Sequence, residues 1–231
     1  MVGPHAACRP LLDLSFFRRP VDVVAQDLIG CVLRRRLDGL WLGARIVETE
    51  AYGLEDPASH AYLGRTTSRE PMWMPPGTIY MYHSRAGASL NVSCGMGPEA
   101  ALIKAGVPVV DGISPKAALD AMHRLNPAPD GQSRRPEERL CGGQTLLCRS
   151  LGLTVAEWTG KQFDPESFYI EARRVTPRIV ATLRLGIRPE RDDGRRSRYV
   201  DRALAGSATS NPLRRGAVAG RDYWEIEPEE G

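Results

Sequence analysis

Between Arg45 and Tyr52 the chain alternates small or apolar residues with acidic and aromatic ones, the period-two pattern of a β-strand. Val47, Thr49 and Ala51 fall on one face, and Ile46, Glu48, Glu50 and Tyr52 on the other. Upstream, Val21, Val24 and Leu28 recur at helical spacing behind Pro20 and stop at Gly30, which predicts a short helix over 20–29. A hairpin follows, with one strand over 31–37, an Asp38-Gly39 turn and a return strand over 40–52. Further strands are predicted over 78–82, 89–93, 100–104, 168–172 and 179–186, with 83–88 as a turn. In the first of these, Tyr80 and Tyr82 share a face opposite Ile79 and Met81. Ser114-Pro115 opens a helix running to Leu125, a second helix carries Leu146, Leu147 and Leu151 up to Gly152, and Thr154 caps a short turn.

Two stretches break the pattern. Residues 1–15 read as a flexible leader, which leaves 16–231 as a single domain. Residues 53–77 form a polar loop rich in proline, glycine and serine, and loops of this length in compact domains usually carry function. It holds His60, Tyr62, Arg65 and Arg69.

Composition narrows the setting. The five cysteines are odd in number and scattered, without metal-ligand spacing, which points to a reducing compartment and the cytoplasm, with no metal. No apolar run is long enough to span a membrane. Net charge is only +3, but just Lys104, Lys116 and Lys161 are lysines among 31 basic residues, so 28 are arginines. Arginine suits bidentate phosphate contacts, although a GC-rich genome gives the same bias. Ten arginines lie between Arg184 and Arg221, a candidate DNA-backbone face. The triplet Arg34-Arg35-Arg36 reads instead as a solvated strand edge that discourages aggregation.

The chemistry converges on the 45–52 strand. Glu50 and Tyr52, two apart, put a carboxylate beside a flat aromatic ring, the combination needed to hydrolyse a bond to an aromatic base. Alone, such a strand reads more readily as a solvated one with its glutamates facing water. Its company decides otherwise. The run Arg45 to Tyr52, followed by Glu55-Asp56-Pro57-Ala58-Ser59-His60, then Pro76-Gly77-Thr78-Ile79-Tyr80-Met81-Tyr82, Asn91, Ala101-Leu102-Ile103 and Leu140-Cys141-Gly142-Gly143, resembles the alkyladenine (3-methyladenine) DNA glycosylase family from Asp27 to Gly186.

That resemblance implies a single mixed α+β domain built around a curved antiparallel sheet with flanking helices. It implies a monomeric, cofactor-free enzyme that flips a damaged purine out of double-stranded DNA and hydrolyses its N-glycosidic bond. Lesions of the 3-methyladenine, 7-methylguanine, hypoxanthine and ethenoadenine class are the expected substrates. By position, Glu50 matches the general base, and Tyr52, His60 and Tyr82 match the walls around the flipped base. Asn91 matches the residue that screens out an extra exocyclic amino group. Leu185 matches a residue whose carbonyl helps hold the water. Lys104 stands where the family has an arginine near that water. The family's Tyr-Gly-Met intercalating tip is missing: His83 to Leu90 carries no aromatic ring beyond His83, and His83 or Arg85 is left to contact the duplex. Arg195, Arg196 and Arg198 replace the family's proline–aromatic pattern and are expected to bind DNA. In a bacterium the protein would associate with the nucleoid. Two rival readings are a non-catalytic nucleic-acid-binding module on the same fold and a bifunctional glycosylase/lyase with Lys104 as amine nucleophile. Hydrolysis of nucleosides is a third, opposed by the arginine-rich tail.

Overall fold

Asp38 and Gly39 both hold positive φ, 49° and 79°, and the two-residue turn they make joins β1 (Val32–Leu37) to β2 (Leu40–Tyr52) as the sequence predicts. The computed structural model describes residues 10–226. Around β2 it builds an open, mixed α+β architecture with one antiparallel sheet of nine strands. The other strands are β3 (Ile79–Ser84), β4 (Gly87–Cys94), β5 (Glu99–Pro108), β6 (Phe168–Glu171), β7 (Ile179–Thr182), β8 (Arg198–Asp201) and β9 (Trp224–Ile226). Their order is β3-β4-β5-β2-β8-β7-β9, and β1 pairs with β2 on one side and β6 on the other. One edge of β2 is therefore shared, by β1 along its first half and by β8 at Glu48–Glu50, while β5 takes the opposite edge.

The helices are α1 (Leu14–Phe17), α2 (Val21–Leu28), α3 (Lys116–Leu125), α4 (Glu137–Leu140), α5 (Gln144–Ser150) and α6 (Val155–Trp158). Val24 and Leu28 of α2, Met122 of α3, Leu147 of α5 and Trp158 of α6 share one buried cluster with Ile79, Met81, Leu90, Val92, Ala101 and Ile103 of the sheet. The alternate residues of β3, β4 and β5 face the other way, where Tyr80 and Ala100 pack with Ala61 and Met72 from the long loop. Helices thus cover one face of the sheet, and the 53–77 loop covers the other. Part of that loop is ordered as a 3₁₀ turn, Thr67–Trp73. Among the described residues no helix is long and apolar enough to cross a membrane.

Several expectations change. The pairing between β2 and β5 jumps from Ile46–Gly106 to Glu48–Ala105 and then to Thr49–Ile103, leaving Val47 and Lys104 as extra residues. These bulges reset the alternation. Ile46 consequently joins the helix-side core with Ala51, not the face bearing Glu50 and Tyr52. The arginine triplet is not an edge, because β6 covers β1. Arg34 is fully buried and donates to Glu171 Oε2 at 2.9 Å and Asp111 Oδ2 at 2.5 Å, and Arg35 pairs with Glu157 at 2.8 Å. Residues 83–88 are mostly strand, since β3 and β4 continue to the Ser84–Gly87 pair and leave only Arg85-Ala86 as the turn. The predicted 179–186 strand ends at Thr182. Ser114 does not cap α3, because its hydroxyl accepts from Arg34 Nη1 at 2.7 Å. Of the expected leader, 1–9 lies outside the described residues, whereas 10–15 is tied down: Leu12 N–H donates to Ile170 O at 3.0 Å and Leu11 bridges Glu171.

Candidate active site

The register across four strands explains the site. Glu50 on β2 lies opposite Leu102 on β5, Leu102 opposite Asn91 on β4, and Asn91 opposite Tyr80 on β3. Directly opposed residues point to the same face, so Glu50, Leu102, Asn91 and Tyr80 make one row. Tyr52, Tyr82 and Lys104 lie two residues along their strands from members of that row and share its face. The row floors a cavity of about 220 Å³ that is also lined by His60, Met72, Ser84, Gln144 and the segment Leu185 to Ile187.

Glu50 is fully buried, and three donors meet its two oxygens. Lys104 Nζ donates to Oε1 at 2.6 Å and the Leu185 N–H to the same oxygen at 3.3 Å, while the Tyr52 hydroxyl donates to Oε2 at 2.8 Å. Burial and the adjacent Glu50 charge hold the Tyr52 phenol well above its ordinary value, so it stays a donor. Arg184 lies behind the tyrosine, with its guanidinium carbon 4.8 Å from the ring centroid. Arg184 is itself clamped by two hydrogen bonds to the buried carboxylate of Asp56.

On the other wall, the His60 and Tyr82 ring centroids are 4.6 Å apart, and Tyr80 and Tyr82 are 5.6 Å apart. No ring can enter between His60 and Tyr82 at that spacing. His60 Nδ1 and the Tyr80 hydroxyl share a 2.7 Å hydrogen bond. Burial, then the charges of Arg69 and Arg191, push the His60 imidazole below its ordinary value, and burial raises Tyr80 and Tyr82. Asn91 is 4% exposed and its Nδ2 donates to Tyr80 O at 3.0 Å, which fixes the amide against the cavity floor.

The profile of the methylpurine-DNA glycosylase family matches residues 15–204. The chain belongs to that family. A protein of Pseudomonas aeruginosa (strain UCBPP-PA14) described as "Putative 3-methyladenine DNA glycosylase" is 49% identical over 223 residues, 95% of this chain and 92% of its own. One of Pseudomonas syringae pv. tomato, with the same description, is 48% identical over 213 residues, 92% of this chain and 95% of its own. A third, from Rhodopseudomonas palustris, is 38% identical over 186 residues, 80% and 82% of the two chains. The protein is therefore a DNA glycosylase of the methylpurine family, a hydrolase of DNA repair that acts on DNA.

In this glycosylase, six of the residues singled out from the sequence, Glu50, Tyr52, His60, Tyr82, Asn91 and Lys104, line one cavity, together with Leu185. The contact Leu185 makes with Glu50 is through its N–H. His83 and Arg85 sit exposed at the tip of the β3–β4 hairpin. The arginine cluster divides. Arg195 is exposed and paired with Asp193, and Arg196 is exposed with its guanidinium carbon 3.6 Å from the Trp224 ring centroid. Arg198 does not belong with them. It is 2% exposed on β8, donates to Glu48 Oε1 at 2.6 Å and also bonds Thr182 and the Ser210 carbonyl, so it is a structural cation without a surface. The sequence reading missed Asp56, Arg184 and Gln144 as site residues. Asp56 lies inside the quoted motif and Gln144 directly follows another, but the contacts that define their roles cross 128 and at least 55 residues of chain.

Proposed function

We propose that this glycosylase extrudes a damaged purine from double-stranded DNA and hydrolyses its N-glycosidic bond with a water activated by Glu50. The observation that carries the reading is the buried Glu50 carboxylate, held by three donors at the side of an aromatic cavity. The extruded base stacks between Tyr52 and the His60–Tyr82 wall. Stacking and, for alkylated purines, cation–π attraction supply the binding. Glu50 takes a proton from water as the oxygen attacks the anomeric carbon, and its charge stabilises the oxocarbenium-like sugar as the base departs. Asn91, fixed by Tyr80, limits which exocyclic groups the floor accepts. The Leu185 carbonyl is assigned to the water.

Lys104 supports a monofunctional reading. Its ammonium donates to Glu50, so it anchors the base instead of offering a lone pair to the sugar. We further assign duplex contacts to Arg85, His83, Arg195 and Arg196, and expect a cytoplasmic monomer without a cofactor.

The test is base release. Duplexes carrying 3-methyladenine, 7-methylguanine, hypoxanthine or ethenoadenine are incubated with the enzyme, and the liberated base is identified by mass. Reaction in ¹⁸O water should label the sugar hydroxyl, and borohydride should trap no covalent adduct. An adduct lost in Lys104→Met would establish the lyase instead. Tight lesion binding with no base released would leave the binding-module reading.

A further inference from the structure

We infer that Gln144 is a specificity-determining residue whose side-chain carbonyl accepts a hydrogen bond from the Watson–Crick edge of the extruded base. The inference rests on the proposed function and deepens it.

Gly143, at φ 153°, turns the chain into α5, so Gln144 begins that helix beside the β3–β4 hairpin. Its Nε2 donates to Ser84 Oγ at 3.2 Å and to Ser89 Oγ at 2.9 Å. The hydroxyl of Ser84 spends its one hydrogen on Gly87 O, 2.9 Å away. Ser84 can therefore only accept from Gln144, and this decides which end of the amide faces the serines. Both amide hydrogens are then used within the protein. Ser89 lies directly opposite Tyr82 across the β3–β4 pair, so the amide is anchored beside the aromatic wall as well.

What remains is Oε1. Gln144 lines the cavity, and its Oε1 has no hydrogen-bond partner among the described residues. The cavity's other polar groups are largely engaged: Glu50 with Lys104, His60 with Tyr80, and Asn91 Nδ2 with the Tyr80 carbonyl. A fixed acceptor in a confined site favours a guest with an N–H and penalises one without, because the acceptor then goes unpaired. Hypoxanthine offers N1–H, and 3-methyladenine offers its exocyclic amino group. Ethenoadenine has both nitrogens of that edge tied into a ring and offers no N–H.

The experiment compares Gln144→Met, of similar volume without the acceptor, and Ser84→Ala, which frees the amide to turn, with the unaltered enzyme. Single-turnover release is measured for hypoxanthine and ethenoadenine in otherwise identical duplexes. Gln144→Met should lower hypoxanthine release relative to ethenoadenine by about three- to tenfold, the worth of one hydrogen bond. Ser84→Ala should lower that ratio in the same direction and by less, because Ser89 still accepts from the amide. A fall of equal size on both lesions would make Gln144 a support for Tyr82 and overturn the inference, as would an unchanged ratio. If Gln144→Met fails to fold, the Ser84→Ala ratio decides: a preference for hypoxanthine equal to that of the unaltered enzyme overturns it. Failure of the unaltered enzyme to release any base would instead overturn the glycosylase reading beneath it.

Discussion

The guanidinium of Arg184 stacks on Tyr52 at 4.8 Å from the ring centroid, and the N–H of the next residue, Leu185, donates to Glu50. One short segment after β7 thus braces both the aromatic wall and the carboxylate. Asp56 fixes the guanidinium by a two-pronged pairing in which both partners are 1% exposed. Breaking such a pair strands a buried charge, which costs about 3–5 kcal/mol. Arg184→Ala should lose stability on that scale in denaturant unfolding. Arg184→Lys keeps the charge without the planar fork. It should recover part of the stability while leaving base release reduced. Full activity in Arg184→Lys would show that the brace is not needed for turnover.

Glu50→Gln should reduce base release by ~10²–10⁴-fold, the usual contribution of a general base. It also leaves the Lys104 ammonium, 8% exposed, without its anion. The double change Glu50→Gln with Lys104→Met should therefore regain stability in thermal melting and regain no activity. Recovery of activity along with stability would remove Glu50 from the chemistry.

His60 gives a pH dependence. Burial, then Arg69 and Arg191, lower its ionisation below the ordinary 6.5. The neutral ring therefore persists in the folded protein at pH where the unfolded chain is already taking up a proton. The stability this group contributes is complete above 6.5 and declines as pH falls toward the lowered folded value. Arg191→Gln removes one of the repelling charges, so the His60 midpoint should rise toward 6.5, read by imidazole proton NMR. A midpoint that falls or stays fixed would show that Arg191 does not act on the ring.

Legibility followed chain distance. The 45–52 strand and its hairpin could be read because alternation and a two-residue turn are local signals, and with them came Glu50 and Tyr52. Tyr80 and Tyr82 could be placed on one face for the same reason. Ile46 was misplaced because a bulge adds a residue without any mark in the pattern, and Val47 is as apolar as its neighbours. The arginines resisted for a different reason. Whether one meets water or a carboxylate depends on partners far along the chain: Glu171 lies 137 residues from Arg34, and Glu48 lies 150 from Arg198. Counting basic residues between Arg184 and Arg221 marked a charged stretch, but the folded protein uses several of those charges internally.

That distinction separates the arginines experimentally. Arg198 is sealed against Glu48, and Arg195 is answered by Asp193. Arg191, by contrast, has no carboxylate partner among the described residues, lies close enough to His60 to act on its ring, and lines a cleft that shares Ala58, Gly186 and Ile187 with the base cavity. Each phosphate contact releases condensed counterions and steepens the fall of log affinity with log salt by about 0.9. Arg191→Gln should therefore flatten that dependence by nearly one contact on an abasic-site duplex, where no base release complicates the reading. Arg195→Gln should flatten it less, because Asp193 already holds that guanidinium and competes with a phosphate for it. Arg198→Gln should leave the slope of the folded protein unchanged and lower its unfolding free energy instead, since Glu48 would be left buried and unpaired. A slope that responds to Arg198→Gln at full stability and ignores Arg191→Gln would move the DNA path away from the cavity mouth and toward the outer side of β8.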